Sequence, residues 1–191
     1  LDINASGATV AFGSSVGAGS ALSTLDVTAS STTLAGSVKT TGAQTYTGPV
    51  TLAGAVTLDT GGALTAGTIV GAGNDLTIAG AGNATIAAAS GLDDVTIDQS
   101  GTTTFTGSIA ANSLGVTNSG GLIFGNGATI GGALTNTASP TTTTGTLSAG
   151  SIGLGALTLG GDTTLSSNGA IATGAVSGGG NDLTINGSGA A

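Results

Sequence analysis

Cysteine, histidine, methionine, tryptophan, arginine and glutamate do not occur in this 191-residue chain, and Lys39 is its sole basic side chain. Each absence closes off a class of chemistry. Without Cys there are no disulfides and no thiolate metal sites, which suits a chain that crosses a bacterial periplasm and stays outside. Without His, and with a single amine, Ser and Thr hydroxyls lack the usual partner base for nucleophilic catalysis. Nine Asp against Lys39 leave a net charge of -8. The clustered cations that neutralise phosphate are missing, which excludes nucleic acid, and basic attachment to anionic lipid fails likewise. No apolar run reaches membrane-spanning length, so no membrane insertion is expected. Leu1-Asp2-Ile3-Asn4 does not begin a signal peptide, and the expectation is a mature fragment.

What the chain does contain is glycine and small β-formers. It has 38 Gly and is 39% hydrophobic but only 5% charged. Disorder of the usual kind pairs low hydrophobicity with high charge, the reverse of this balance. Leu, Val, Ile and Ala are dispersed among Thr, Ser, Asn and Gly, and β-branched residues fill the apolar segments. The reading is all-β.

Repetition governs the architecture. Residues 50–78 recur without a gap as residues 157–185, ending in Asn74-Asp75-Leu76-Thr77-Ile78 and Asn181-Asp182-Leu183-Thr184-Ile185, with roughly half the aligned positions identical. A solenoid has a physical reason to copy itself, because each coil buries its apolar face only against a like neighbour. Apolar pairs flanking one residue start at Leu1, Leu25, Val50, Leu76, Val95, Leu114, Leu134, Leu157 and Leu183. Their spacing of about 19 to 26 residues is that of one solenoid coil. In each pair the outer two side chains point inward and the middle one outward, as with Leu76, Thr77 and Ile78. Asn136 is the polar intruder in the inner column.

Further apolar columns run through Val10, Phe12, Leu34, Val56, Leu58, Ile86, Phe105, Leu122, Phe124 and Leu165, and more loosely through Val16, Val38, Leu92, Ile109, Ile130, Leu147 and Ile171. Gly-rich corners separate them. The expectation is a single domain over residues 1–191, a fragment of a longer right-handed parallel β-helix with about eight coils. A left-handed hexapeptide helix would need a strict six-residue period that does not appear. Thr141 to Thr144 is expected as an exposed bulge or outer ladder.

The stretch Gly42-Ala43-Gln44-Thr45-Tyr46-Thr47-Gly48-Pro49-Val50-Thr51-Leu52 resembles a repeat signature of filamentous haemagglutinin-like exoproteins of Gram-negative bacteria. Phe12 to Val16, Leu159 to Leu165 and Gly180 to Thr184 fit the same pattern. The resemblance implies a secreted β-helical stalk on the cell surface, exported with an outer-membrane secretion partner or as an autotransporter. It further implies an adhesin or matrix fibre, with a glycan or protein receptor that the sequence does not name.

Three constellations carry candidate chemistry. Gly71 to Asp75, followed by Gly80 to Ala84, resembles the calcium nonapeptide, but Ala84 stands where a ligand Asp belongs, and Gly178 to Asp182 is distant. A Gly-Asn-Asp corner is the preferred reading. Asp93, Asp94 and Asp98, with Asp75 one coil below Asp94, could suggest a paired-carboxylate hydrolase. Sugar-stacking aromatics are scarce, since only Phe12, Tyr46, Phe105 and Phe124 are aromatic, so a solvated acidic turn is preferred. Rows of outward Thr can bind ice, yet Thr102 to Thr104 and Thr141 to Thr144 are not echoed at the expected coil spacing. The sequence therefore assigns no catalytic residue, cofactor or metal. The expected function is a non-enzymatic extracellular stalk for attachment or biofilm matrix cohesion, or alternatively a filament subunit stacking end to end.

Overall fold

Apolar triplets of alternating burial, punctuated every few residues by Gly, Asn and Ser corners, can satisfy their backbone groups only by pairing with the next such segment. In the computed structural model, which describes residues 1–188, they do so by winding into a parallel β-solenoid. Eighteen strands and no helix are present among the described residues. Three faces, here called A, B and C, alternate around each coil. Face A can be followed through Leu25, Gln44, Leu64, Ala84, Thr103, Leu122, Thr141, Leu157 and Val176, each paired in parallel with the next. Most turns take 19 or 20 residues. The first is longer, from Asp2 to Asp26, and the turn from Thr141 to Leu157 is the shortest. The stack thus holds about nine turns rather than eight.

Inside and outside fall where alternation places them, but the faces do not. Leu76, Val95, Leu114 and Leu134 stack in successive turns on face C, fully buried, with Thr77 and Thr96 between inner positions and half-buried. The other starts assigned to that column lie elsewhere: Leu1, Leu25 and Leu157 on face A, Val50 and Leu183 on face B. The reason is that short apolar-polar-apolar triplets occupy all three faces, so alternation alone cannot tell one from another. Even the long internal repeat is displaced by one face. Val50 to Leu52 pairs within face B, whereas the equivalent Leu157 to Leu159 pairs within face A. A strand-corner-strand unit is evidently usable at any vertex of the coil.

Thr141 to Thr144 is not a bulge. These residues open the strand Thr141–Leu154 on face A, with Thr141 and Thr143 fully buried. Asn136 is buried as expected, and its side chain is satisfied: Nδ2 donates to Thr141 Oγ1 at 2.9 Å, while Oδ1 accepts from Ser139 N at 3.2 Å and Ser139 Oγ at 3.0 Å.

One continuous apolar core fills the coil. Within it, Phe105 and Phe124 stack on successive turns with ring centroids 6.1 Å apart. The vertex between faces C and A is polar inside. Thr40, Thr60 and Ser119 turn their hydroxyls onto glycine-corner carbonyls, Thr40 to Gly42, Thr60 to Gly42 and Gly62, and Ser119 to Gly101 and Gly121. Glycine is required here because successive coils nearly touch: a Cβ on Gly82 would collide with the Gly62 carbonyl, and one on Gly101 with the Gly82 carbonyl. At the same vertex Gln44 Nε2 donates to Asp59 O at 2.9 Å and Val38 O at 3.2 Å, and its Oε1 accepts from Tyr46 Oη at 3.2 Å. Gln99 Nε2 donates to Thr103 Oγ1 at 2.7 Å, but Gln99 Oε1 and Thr143 Oγ1 are buried without a partner.

Two measurements check this packing. Ile97 has no solvent exposure, so Ile97→Asp buries a carboxylate with no cation near and should cost about 3–5 kcal/mol. Thr96→Asp on the outer face should cost under about 1 kcal/mol, both by urea unfolding. Equal losses would overturn the inside and outside assignment. Burial also pushes the Tyr46 phenol well above its ordinary value. Because the folded state holds that proton more tightly than the unfolded chain, stability is complete below pH of about 10 and should fall by about 1.4 kcal/mol per pH unit above it. Tyr46→Phe should abolish that alkaline slope, and an unchanged slope would place its origin elsewhere.

Candidate functional site

The Gly-Asn-Asp corners build themselves from successive left-handed residues. Ala72 and Gly73 have φ of 53° and 81°, and Gly179 and Gly180 have 60° and 93°. Each corner then uses its Asn in the same way. Asn74 Nδ2 donates to Leu52 O at 3.0 Å and Gly71 O at 2.9 Å, and Asn181 Nδ2 donates to Leu159 O at 2.9 Å. The following aspartates differ: Asp75 Oδ1 accepts from Asp94 N at 3.2 Å, whereas Asp182 N donates to Asp162 Oδ1 at 3.0 Å. The carbonyls that a calcium ion would need are thus held by amide donors. Among the described residues no group of three or more acidic, His or Cys side chains is placed to share a metal.

The acidic residues divide by register. Asp75 and Asp94 are stacked neighbours entering face C, and Ser113 Oγ continues the row by donating to Asp94 Oδ1 at 2.6 Å. Asp98 points outward at the far end of the same strand, about 13 Å from Asp94 at four extended residues, too far to act on one glycosidic bond. Asp93, Asp94 and Asp98 are all exposed. Tyr46, Phe105 and Phe124 are in the core, leaving no sugar-stacking ring beside them. A shallow depression of about 340 Å³ lies near the face B strands, lined by Gly91, Leu92, Ala110, Ala111, Thr129 and Gly131. Its lining contains neither a carboxylate nor an amine. Lys39 pairs with Asp59 directly across face C at 2.7 Å, an exposed contact of little energetic weight.

A surface that the sequence reading missed appears on face A. Thr45, Thr65, Thr85, Thr104, Ile123, Thr142 and Thr158 point outward in consecutive turns, each paired with the next. A second outward row beside it holds Thr47, Thr106 and Thr144, each exposed or half-buried. The rows are at coil spacing once the true 19- to 20-residue turn is used. The residues of face A over these seven turns include no charged side chain, whereas Asp59 and Asp98 lie on face C, Asp75, Asp93 and Asp94 at the corner entering it, and Asp162 and Asp182 at the corner entering face B. Charge is thus missing from these seven turns of face A, although Asp2 and Asp26 occupy the two turns before them.

No family model, curated protein or solved structure matches this chain.

The corner reading has a direct check. Asn74→Ala removes the side-chain donor from Leu52 O and leaves Gly71 O with only the Asn74 backbone N–H, and should cost about 1 kcal/mol. Neither calcium nor a chelator should shift the melting temperature of the parent or the variant. Stabilisation by calcium that Asp75→Asn removes would reinstate a cation site.

Proposed function

We propose that this chain is a length of extracellular stalk from a bacterial surface adhesin of the filamentous haemagglutinin-like kind, working in attachment or matrix cohesion. The observation that carries the reading is the uninterrupted stack of about nine turns around one core. Its role is mechanical. Coils about 4.8 Å apart make a rod of about 40 Å, and each added turn lengthens it without a new fold. The Gln44 to Leu52 motif supports the family, and the absence of Cys suits a secreted chain.

A second reading, the end-to-end filament, rests on a separate observation. Val176 and Ile185 are 45% and 57% exposed, although they continue the inner columns of Leu157 and Leu165, which are buried. A further coil, from the same chain or a neighbour, would cover them.

One experiment separates the two. The purified chain, immobilised on beads, is screened against glycans and extracellular matrix proteins, and the same preparation is imaged by electron microscopy. Specific retention on one ligand, lost when the beads carry an unrelated β-solenoid, supports the adhesin. Thin filaments one rod wide, abolished by Thr184→Lys with Asn186→Lys, support end-to-end stacking. Neither retention nor filaments would overturn both.

A further inference from the structure

Face A differs from the rest of the rod in what it would cost to cover. The molecule carries a net charge of -8, and two copies brought together on any acidic side repel. From Thr45 to Thr158 face A has no charge to desolvate. Its outward residues are threonines and one isoleucine, Ile123, so its surface offers methyl groups and hydroxyls in register. Beside the main row, a second row runs Thr47, Gly67, Ala87, Thr106, Gly125, Thr144 and Gly160, all small and uncharged, so no bulky side chain holds a flat partner off this face.

We propose that face A is a lateral docking surface for a second copy of this chain, the two rods lying antiparallel and face to face. Charge selects the antiparallel sense. Asp2 and Asp26 occupy the first two positions of the same outward row, and Ser177 the last. Parallel rods would set four carboxylates against one another, whereas antiparallel rods centred on Thr104 set Asp26 opposite the uncharged Ser177 and carry Asp2 past it. Seven turns at about 4.8 Å and four residues of about 3.3 Å give about 440 Å² per copy, or about 900 Å² for the pair. That lies just below the about 1,000 Å² expected of a lasting interface, so the pair formed by this length of rod is weak and reversible, and each added neutral turn tightens it. The inference deepens the stalk reading by giving neighbouring rods a means of cohesion, and it is independent of end-to-end stacking.

The absence of cysteine makes the test clean. In the antiparallel pair the central Thr104 faces Thr104 of the other copy, and Thr65 faces Thr142. Thr104→Cys should form a covalent dimer under mild oxidation, while Thr96→Cys on face C and Thr129→Cys on face B should not exceed the rate of random collision. Adding Thr65→Lys and Thr142→Lys to the Thr104→Cys chain places like charges opposite each other and should lower the yield at least about tenfold. Added salt should raise the Thr104→Cys yield, because it screens repulsion between acidic rods and weakens no ion pair. Unchanged melting temperatures identify the variants as folded.

Equal cross-linking from all three faces overturns the proposal. So does self-cross-linking of Thr45→Cys as fast as that of Thr104→Cys, which would mean parallel rods. Thin filaments without Thr104 cross-links leave the end-to-end reading standing and sink this one. Partition of the monomer into growing ice, lost in the lysine variants, would assign the row to a lattice of water instead of a second rod.

Discussion

The parallel ladder between coils is the constraint on which everything else depends. Each turn must present its amide and carbonyl groups at the heights its neighbours require, about 4.8 Å above and below. Any residue is then stacked on its counterpart one turn away, and side chains act as columns instead of individuals. Small variations are absorbed locally. The first turn accommodates extra residues at the corner between Ala5 and Thr9 and again between Val16 and Leu25, and the turn beginning at Thr141 sheds several after Thr143, with pairing resumed on each face.

Columns explain the composition. With nearly every strand residue either inside a narrow core or outside on a flat face, large side chains have few places to go. Tyr46, Phe105 and Phe124 fill one inner column whose other members include Val27, Ala66, Ile86 and Thr143. Corners are tighter still. The stacked glycines at the vertex between faces C and A let adjacent coils approach, and neighbouring Thr and Ser hydroxyls occupy the carbonyls that water cannot reach. Threonine therefore has two lives in this protein, inside as a capped polar group and outside as a β-former. Gln44 and Tyr46 extend the same polar seam into the core.

The candidate surfaces follow from the same geometry. Stacking sets Asp75 beside Asp94 and carries Asp98 away from both, so acidic density in the sequence becomes a dispersed stripe. Stacking also gathers threonines separated by 19 or 20 residues into one neutral row. An isolated stretch such as Thr102 to Thr104 gives no sign of this, because its partners Thr85 and Ile123 lie a full turn away.

By itself, the sequence determined the class and the alternation. Periodic apolar triplets, abundant glycine and the near absence of charge permit only a β-solenoid with Leu76, Ile78, Val95 and Ile97 inside. It also marked Asn136 as a buried exception and the Gly-Asn-Asp corners as turns. What only the tertiary structure decided was phase: which triplet belongs to which face, that Val50 and Leu157 occupy different faces, and that Thr141 and Thr143 point inward. The physical reason is degeneracy. All three faces obey the same two-residue rule, so the local pattern fixes a side chain's inward or outward direction, and only the closed turn of 19 or 20 residues fixes its neighbours.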